Sequence, residues 1–585
     1  MYVGWQNPTE REQMMVLQGY HQHQLHGFSQ ANQPQMSPIP WPQTSPNPQQ
    51  HQTLKLQELL QFEAQRTQEN RQFGEVRYGQ ENDDLVPGDL GTDPWPEFDN
   101  IEDLLSLAMT KPPSQASQLV SCIHSAAKLC DSEAGPGDVS GDPRIKAVLG
   151  SLRAKSKELT APRSMMKVVW ALGKLGLHGG EVEGIVADFA AAAPPRLSQF
   201  SPQELSNMLW GLARITDSAK RQVTDAAVLA HAVMREGTAR LVSFSTQCLT
   251  NSLWAVAKLG LRGHEVAVFT RECVLQIHSV IFKEMSPQGL ANSLWACAKI
   301  QCEGREGPIL ESDVVTHFCM DAARRATASE NLLQLFFPQE LSMALWGIAK
   351  LMGRRTRSGK CEFDDIEKFS MAVAREGSAR IQDFSAQGVS IVAWALATLN
   401  LVEAPDAVHF FEVAAEVAAT HIQHYPPQAI ANLCWALNRV PGKSAVLASF
   451  GRAAALEAQN RMNEFSWQDS SGIVSALMNL GPGSAEVRDL TILLVQTASY
   501  QCHKIGTQAL LNIALSAVRL KLDPSVVMPL AEGIAEVFVK RQGLNDIDNR
   551  QWQEVQRYCG FSTGHTGLLG NHGHGYRKGR KTKKK

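Results

Sequence analysis

The chain predicts an all-α fold, an α-solenoid of about ten two-helix repeats with a period of about 40 residues, flanked by disordered N- and C-terminal tails. Three observations carry that expectation. A helical phrase, clearest as Phe200-Ser-Pro-Gln-Glu-Leu-Ser-Asn-Met-Leu-Trp-Gly-Leu-Ala-Arg214, returns at steps of 40, 44, 41, 51, 48, 41, 40 and 40 residues. In that copy Ser201, Pro202 and Glu204 spell a helix start: an N-cap, a proline at the first helical position and a capping box. The text between copies repeats as well, Met234-Arg-Glu-Gly-Thr-Ala-Arg240 returning as Ala374-Arg-Glu-Gly-Ser-Ala-Arg380.

Taken in order, residues 1–100 are a head dominated by Gln, Pro, His and Asn, with too little apolar surface to offset the entropy of ordering. A transient helix is expected within it over Thr53 to Arg71. The repeat region spans 101–540. A degenerate first copy centres on His124, and the clear copies align on Trp170, Trp210, Trp254, Trp295, Trp346, Trp394 and Trp435, followed by Ser475 and Leu515 in the same slot. Second helices are expected over about Val223 to Val242 and Asp365 to Ile381. The two long steps place polar insertions, Gln301 to Gly307 and Gly353 to Glu362, in interhelical loops. After Asp523-Pro524, helices over about Ser525 to Lys540 and Gln551 to Tyr558 form a terminal cap, and 541–585 ends in a mobile basic tail.

Net charge is −2, yet it is unevenly placed. Lys plus Arg against Asp plus Glu runs 5 to 13 over 1–100, 41 to 42 over 101–540 and 10 to 3 over 541–585. The 11 cysteines contain no CxxC pair, which argues against a zinc ribbon, a thioredoxin site or a secreted disulfide framework and favours reduced thiols. No stretch reaches the roughly 18 to 20 apolar residues of a membrane span, and the first 30 residues lack a signal-peptide core. The sequence shows no P-loop, HExxH, GxSxG or paired-carboxylate motif, so a non-enzymatic protein without cofactor or bound metal is expected. Cys559, His565, His572 and His574 match no ordinary zinc spacing. The tail Arg577 to Lys585, with seven basic residues in nine, suits an anionic partner or nuclear import.

At 100° per residue, the positions seven and three before the tryptophan, the tryptophan, and four after it lie within about 60° on the helix. One stripe therefore carries four slots. The Gln slot holds Gln203, Gln247, Gln288, Gln339, Gln387, Gln428, Gln468 and Gln508; the Asn slot holds Asn207, Asn251, Asn292, Asn432 and Asn512; the cation slot holds Lys174, Arg214, Lys258, Lys299, Lys350, Arg439 and Arg519. Beside the stripe run leucines and, just after the tryptophan, small residues such as Gly211 and Gly347 that let helices approach closely. Trp, Leu and these small residues are expected to fill the space between stacked repeats. The amides are expected to form a hydrogen-bonded ladder. Two readings of the cations stay open: snorkelling surface charges, or a regular row tracking a phosphodiester backbone. A base-reading slot is sought where copies differ, six before the tryptophan, at Glu204, Cys248, Gly289, Glu340, Gly388, Ala429, Asp469 and Ala509.

The phrases beginning at Phe200 and at Met285-Ser-Pro-Gln-Gly-Leu-Ala-Asn-Ser-Leu-Trp-Ala-Cys-Ala-Lys299 make the chain resemble octotricopeptide-type repeat proteins of algal organelles over about residues 115–520. It is similar also to their apicomplexan, dinoflagellate and kinetoplastid relatives, among them RNA-editing substrate-binding subunits, and to the helical region of FAST-kinase-like proteins with a RAP domain. The resemblance implies a right-handed superhelix that binds single-stranded organellar RNA and controls its processing, stability, editing or translation, with protein partners in a ribonucleoprotein complex and no membrane. It implies mitochondrion or chloroplast. The N-terminal 50 residues, with one Arg, two Glu and many Gln, do not read as a presequence, which keeps cytoplasm and nucleus open. Residues after 520 do not read as a RAP domain, and the near-neutral solenoid requires a locally basic face. The rival expectation is a protein-binding scaffold of the HEAT or armadillo type. Alignment of the cations on one face favours RNA.

Overall fold

The computed structural model describes residues 96, 98–130, 141–303, 309–353, 363–442, 444–481, 483–541 and 545–560. These belong to the compact unit Trp95–Lys585. The Gln-rich head with its expected helix, residues 304–308 and 354–362 of the insertions, and the basic tail with His565, His572 and His574 lie outside the described residues.

The described residues are helical, and the helices alternate between two layers. First helices run Ala116–Leu129, Pro162–Lys174, Pro202–Ala219, Thr246–Leu259, Pro287–Glu303, Pro338–Met352, Ala386–Thr398, Pro427–Leu437, Trp467–Leu480 and Thr507–Arg519. Second helices run Pro143–Lys155, Gly180–Ala192, Thr224–Thr238, His264–Glu284, Ser312–Ala326, Asp364–Ala379, Pro405–Thr420, Ala445–Asn460, Ala485–Ser499 and Pro524–Arg541. Each first helix packs on the next first helix and each second helix on the next second helix. That is the nearest-neighbour order of an α-solenoid.

The sequence signals act where expected. The Ser201 hydroxyl accepts the Glu204 N–H at 3.2 Å while Ser201 N–H donates to the Glu204 carboxylate at 2.7 Å, closing the capping box. Ser245, Ser286, Ser385 and Ser466 cap later copies through the hydroxyl alone, each accepting the N–H three residues on. Short 3-10 turns such as Leu241–Ser243, Ile381–Asp383 and Ile422–His424 lead into several first helices and deliver a buried ring, Phe244, Phe384 or Tyr425, ahead of the cap. Small residues set the spacing of the first layer: a Cβ built on Gly211 would lie 2.5 Å from the Val169 carbonyl, and one on Gly347 would lie 2.7 Å from the Leu294 carbonyl carbon. The second layer contributes a column of fully buried rings, Phe189, Phe269, Phe318, Phe369, Phe410 and Phe450, each stabilising by roughly 1.5–3 kcal/mol.

The repeated arginine ending the second helix clasps the preceding repeat. Arg240 donates to the Phe200 carbonyl at 2.9 Å, Arg380 to that of Phe336 at 3.3 Å and Arg461 to that of Tyr425 at 3.1 Å. Each carbonyl stands just before an N-cap, in a turn whose backbone has no helical partner of its own.

Several boundaries differ from expectation. Gln301 to Glu303 continue their first helix instead of starting a loop, because the Gln301 amide accepts the N–H groups of Ile309 and Leu310 at 2.9 and 2.8 Å and donates to the Leu310 carbonyl at 2.9 Å, bridging the insertion. A short helix, Glu330–Gln334, stands between Ser312–Ala326 and Pro338–Met352, where none was expected. Ile101–Thr110 precedes the first copy and buries Leu104 and Leu105 against it. The last helix, Asp546–Cys559, is longer than the sequence suggested and packs on Thr507–Arg519 as a further first helix. Gln551 occupies its Gln slot and accepts a hydrogen bond from Gln508 at 3.2 Å.

Candidate nucleic-acid interface

The helix Thr246–Leu259 shows the geometry most simply: every residue is buried except Thr246, Gln247, Asn251, Trp254 and Lys258. The four-slot stripe is thus the solvent face of the first layer, and leucines and small residues occupy the rest of the circumference. The tryptophans were expected between repeats, and this is corrected by the structure. Trp170, Trp210, Trp254, Trp295, Trp394 and Trp435 are half-buried on that face, and only Trp346, at 5% exposure, is buried. The reason is angular. The tryptophan shares its stripe with the amide and the cation, so the helix cannot bury one without the others.

Two pairs of successive indoles meet along the face. Trp170 and Trp210 have ring centroids 6.4 Å apart, and Trp394 and Trp435 stack at 6.2 Å with planes 29° apart. His124 extends the row, its ring 5.2 Å from Trp170, which places the degenerate first copy in register. Cations lie over the rings. Lys174 is 4.7 Å from the Trp170 centroid, Arg214 5.9 Å from Trp210 and Arg439 4.0 Å from Trp435. Lys258 reaches both Trp254 and Trp295, at 5.5 and 5.6 Å, and Lys350 reaches both Trp346 and Trp394, at 5.7 and 5.6 Å. Such contacts are worth about 0.5–2 kcal/mol according to desolvation. Burial and then the charge of Lys299 push the Lys258 ammonium down to about 8. Arg439 and Arg519 are exposed, and Thr398 takes the cation slot in the Trp394 repeat.

The amide ladder forms in part. Gln203 donates to the Asn207 carbonyl at 3.4 Å and Gln508 to that of Asn512 at 3.0 Å, within single helices, while links between repeats include Gln508 to Gln551, the Cys248 thiol to Gln203 and the Asn207 amide to the Met166 sulfur. Asn207 and Asn432 are largely buried, at 7% and 8% exposure; Asn251, Asn292 and Asn512 are half-buried. The slot six before the tryptophan faces elsewhere. Cys248, Gly289, Gly388 and Ala429 are buried there, Glu204 and Glu340 accept the backbone N–H groups of Ser201 and Phe337, and Asp469 accepts the Ser466 hydroxyl. It is the third position of the helix, which capping and close packing claim.

Charge is divided between the layers. From Ala116–Leu129 to Thr507–Arg519, no carboxylate stands between the first and last turns of any first helix. Second-helix carboxylates meet cations of neighbouring second helices: Arg153 with Asp188 at 2.6 Å, Arg235 with Glu265 at 2.9 Å, Arg324 with Asp365 at 2.7 Å and Arg375 with Asp406 at 2.6 Å, while the His278 ring lies 2.6 Å from Asp321. A near-neutral total therefore coexists with a first-layer face whose central charges are all positive.

Among the described residues no group of three His, Cys, Asp or Glu could hold a metal ion, and no helix is long and apolar enough to cross a membrane. The described cysteines are free thiols, and burial raises those of Cys273, Cys297 and Cys434 far above the ordinary range. No family model and no curated protein matches this chain.

Proposed function

We propose that the first-layer face binds single-stranded RNA, and that the protein is a non-enzymatic, sequence-selective factor in organellar RNA processing, stability, editing or translation. The observation that carries this reading is the combined row of half-exposed indoles and cations on a face whose carboxylates are confined to helix ends. Base rings stack on indoles irrespective of sequence, at about 1–3 kcal/mol per base, and a row of cations follows the backbone. The organelle and the RNA step come from the resemblance of the repeats. A protein-binding scaffold is the second reading, and its support is the near-neutral overall charge.

Titration of the full chain with single-stranded RNA at several salt concentrations tests the RNA reading. Engagement of Lys174, Arg214, Lys258, Lys299 and Lys350 with five phosphates gives a log–log salt slope of about −3.5. Absent binding, or affinity that does not weaken as salt rises, removes the RNA reading and leaves the scaffold.

A further inference from the structure

A slot that discriminates bases on this face must meet three conditions. It must reach solvent, it must adjoin the stacking ring, and it must differ between repeats. The Gln slot is constant in eight copies, the tryptophan in seven, and the slot six before the tryptophan is taken by capping and packing. The cation slot varies less and sits at the helix end. The Asn slot meets them in part: Asn207 and Asn432 are buried, at 7% and 8% exposure, and the other copies reach solvent. One turn from the ring, it holds Asn251 and Asn292, then Met343 and Ile391, and later Gly472, with Lys167 in the first clear copy, all six half-buried.

We propose that the Asn slot is the base-discriminating position, with Asn251 and Asn292 as readers and Met343 and Ile391 as two consecutive silent positions. This deepens the RNA reading and rests on it. Two copies show how the neighbouring glutamine orients this amide, Gln203 donating to Asn207 and Gln508 to Asn512. Where Gln508 donates to the Asn512 carbonyl at 3.0 Å, the oxygen is engaged and the amide –NH2 is left as donor. An amide so oriented next to a stacked base selects an edge that presents a carbonyl oxygen or ring nitrogen. Ile391 offers neither donor nor acceptor and Met343 only a weakly accepting thioether, so neither side chain discriminates the base it meets.

The test selects bound sequences from a random single-stranded RNA pool with the full wild-type chain, Asn251→Met and Ile391→Asn, with circular-dichroism melting to establish that each variant folds. Asn251→Met flattens the preference at one nucleotide, lowering discrimination there about tenfold, and leaves the salt slope unchanged. Ile391→Asn adds a preference at a nucleotide where the wild type shows none. If the wild type selects a motif and neither folded variant alters it, the assignment of the Asn slot is overturned. Tight, salt-dependent binding with no sequence preference overturns it too, and leaves RNA binding standing. No binding at any salt defeats the function itself.

Discussion

The repeats that carry Trp170 to Trp435 differ from the two that follow, where Ser475 and Leu515 take the ring's place and Asn479 takes one cation's. The stacking order survives the change: Trp467–Leu480 still packs on Pro427–Leu437 and on Thr507–Arg519. The indole is therefore not required by the solenoid. Leucines and small residues facing inward suffice for stacking, and what the earlier repeats hold beyond that lies on the outside. A half-buried aromatic row that the fold can do without calls for another cause, and a stacking ligand supplies one.

The sharpest break of this comparison gives two early repeats the later outer face. Trp254→Ser with Trp295→Ser is expected to lower RNA affinity by about 1–3 kcal/mol per ring, measured by fluorescence anisotropy at fixed salt, while circular dichroism retains the helical signal. Ser475→Trp restores a ring to the later repeats and raises affinity. Loss of helical structure in the double variant would return the tryptophans to the scaffold.

Inward positions respond in the opposite sense. Gly211→Val places a Cβ 2.5 Å from the Val169 carbonyl, where only backbone movement can relieve the contact, so denaturant unfolding should show a loss of about 3 kcal/mol.

At the N-terminal end the comparison acquires a pH dependence. His124 is 7% exposed, and burial, followed by the charges of Lys167, Lys128, Lys174 and Arg163, holds it down to about 3. The folded state then binds fewer protons than the unfolded chain between about 3 and 6.5, so stability is complete above 6.5 and declines as pH falls through that window. Between pH 7 and pH 5 the loss is about 2 kcal/mol. It disappears in His124→Phe, which keeps a ring against Trp170. Lys258 gives a weaker effect in the other direction: raising pH through about 8 discharges it, and RNA affinity should fall several-fold as the salt slope loses about 0.7.

These contrasts also show what was readable beforehand. The repeat register, the Ser201 capping box, the close approach at Gly211 and the single stripe of Gln, Asn, Trp and cation all follow from spacing and steric size. The solvent exposure of Trp254 does not, because hydrophobicity alone assigns an indole to the interior and only the packing of both neighbours shows which face is left over. The Arg240 and Arg380 clasps were visible as repeated text, but their targets are carbonyls some 40 residues earlier in turns that periodicity does not describe. The slot six before the tryptophan varies between copies, but its place in the first turn commits Glu204 and Glu340 to the backbone.

Gly472 is the smallest and cleanest probe of the boundary between the two kinds of position. It occupies the Asn slot within Trp467–Leu480, and a Cβ built there meets nothing within 4 Å. Mid-helix glycine costs about 1 kcal/mol relative to alanine, so Gly472→Ala should stabilise by about 0.5–1 kcal/mol in denaturant unfolding. Gly211→Ala, on the inward face of its own helix, should destabilise. If Gly472→Ala also destabilises, the slot is packed against a neighbour, and the claim that this stripe faces solvent fails in the later repeats. If it stabilises while Gly472→Asn adds a base preference, the later repeats have the same latent reading face as the earlier ones and lack only the side chains.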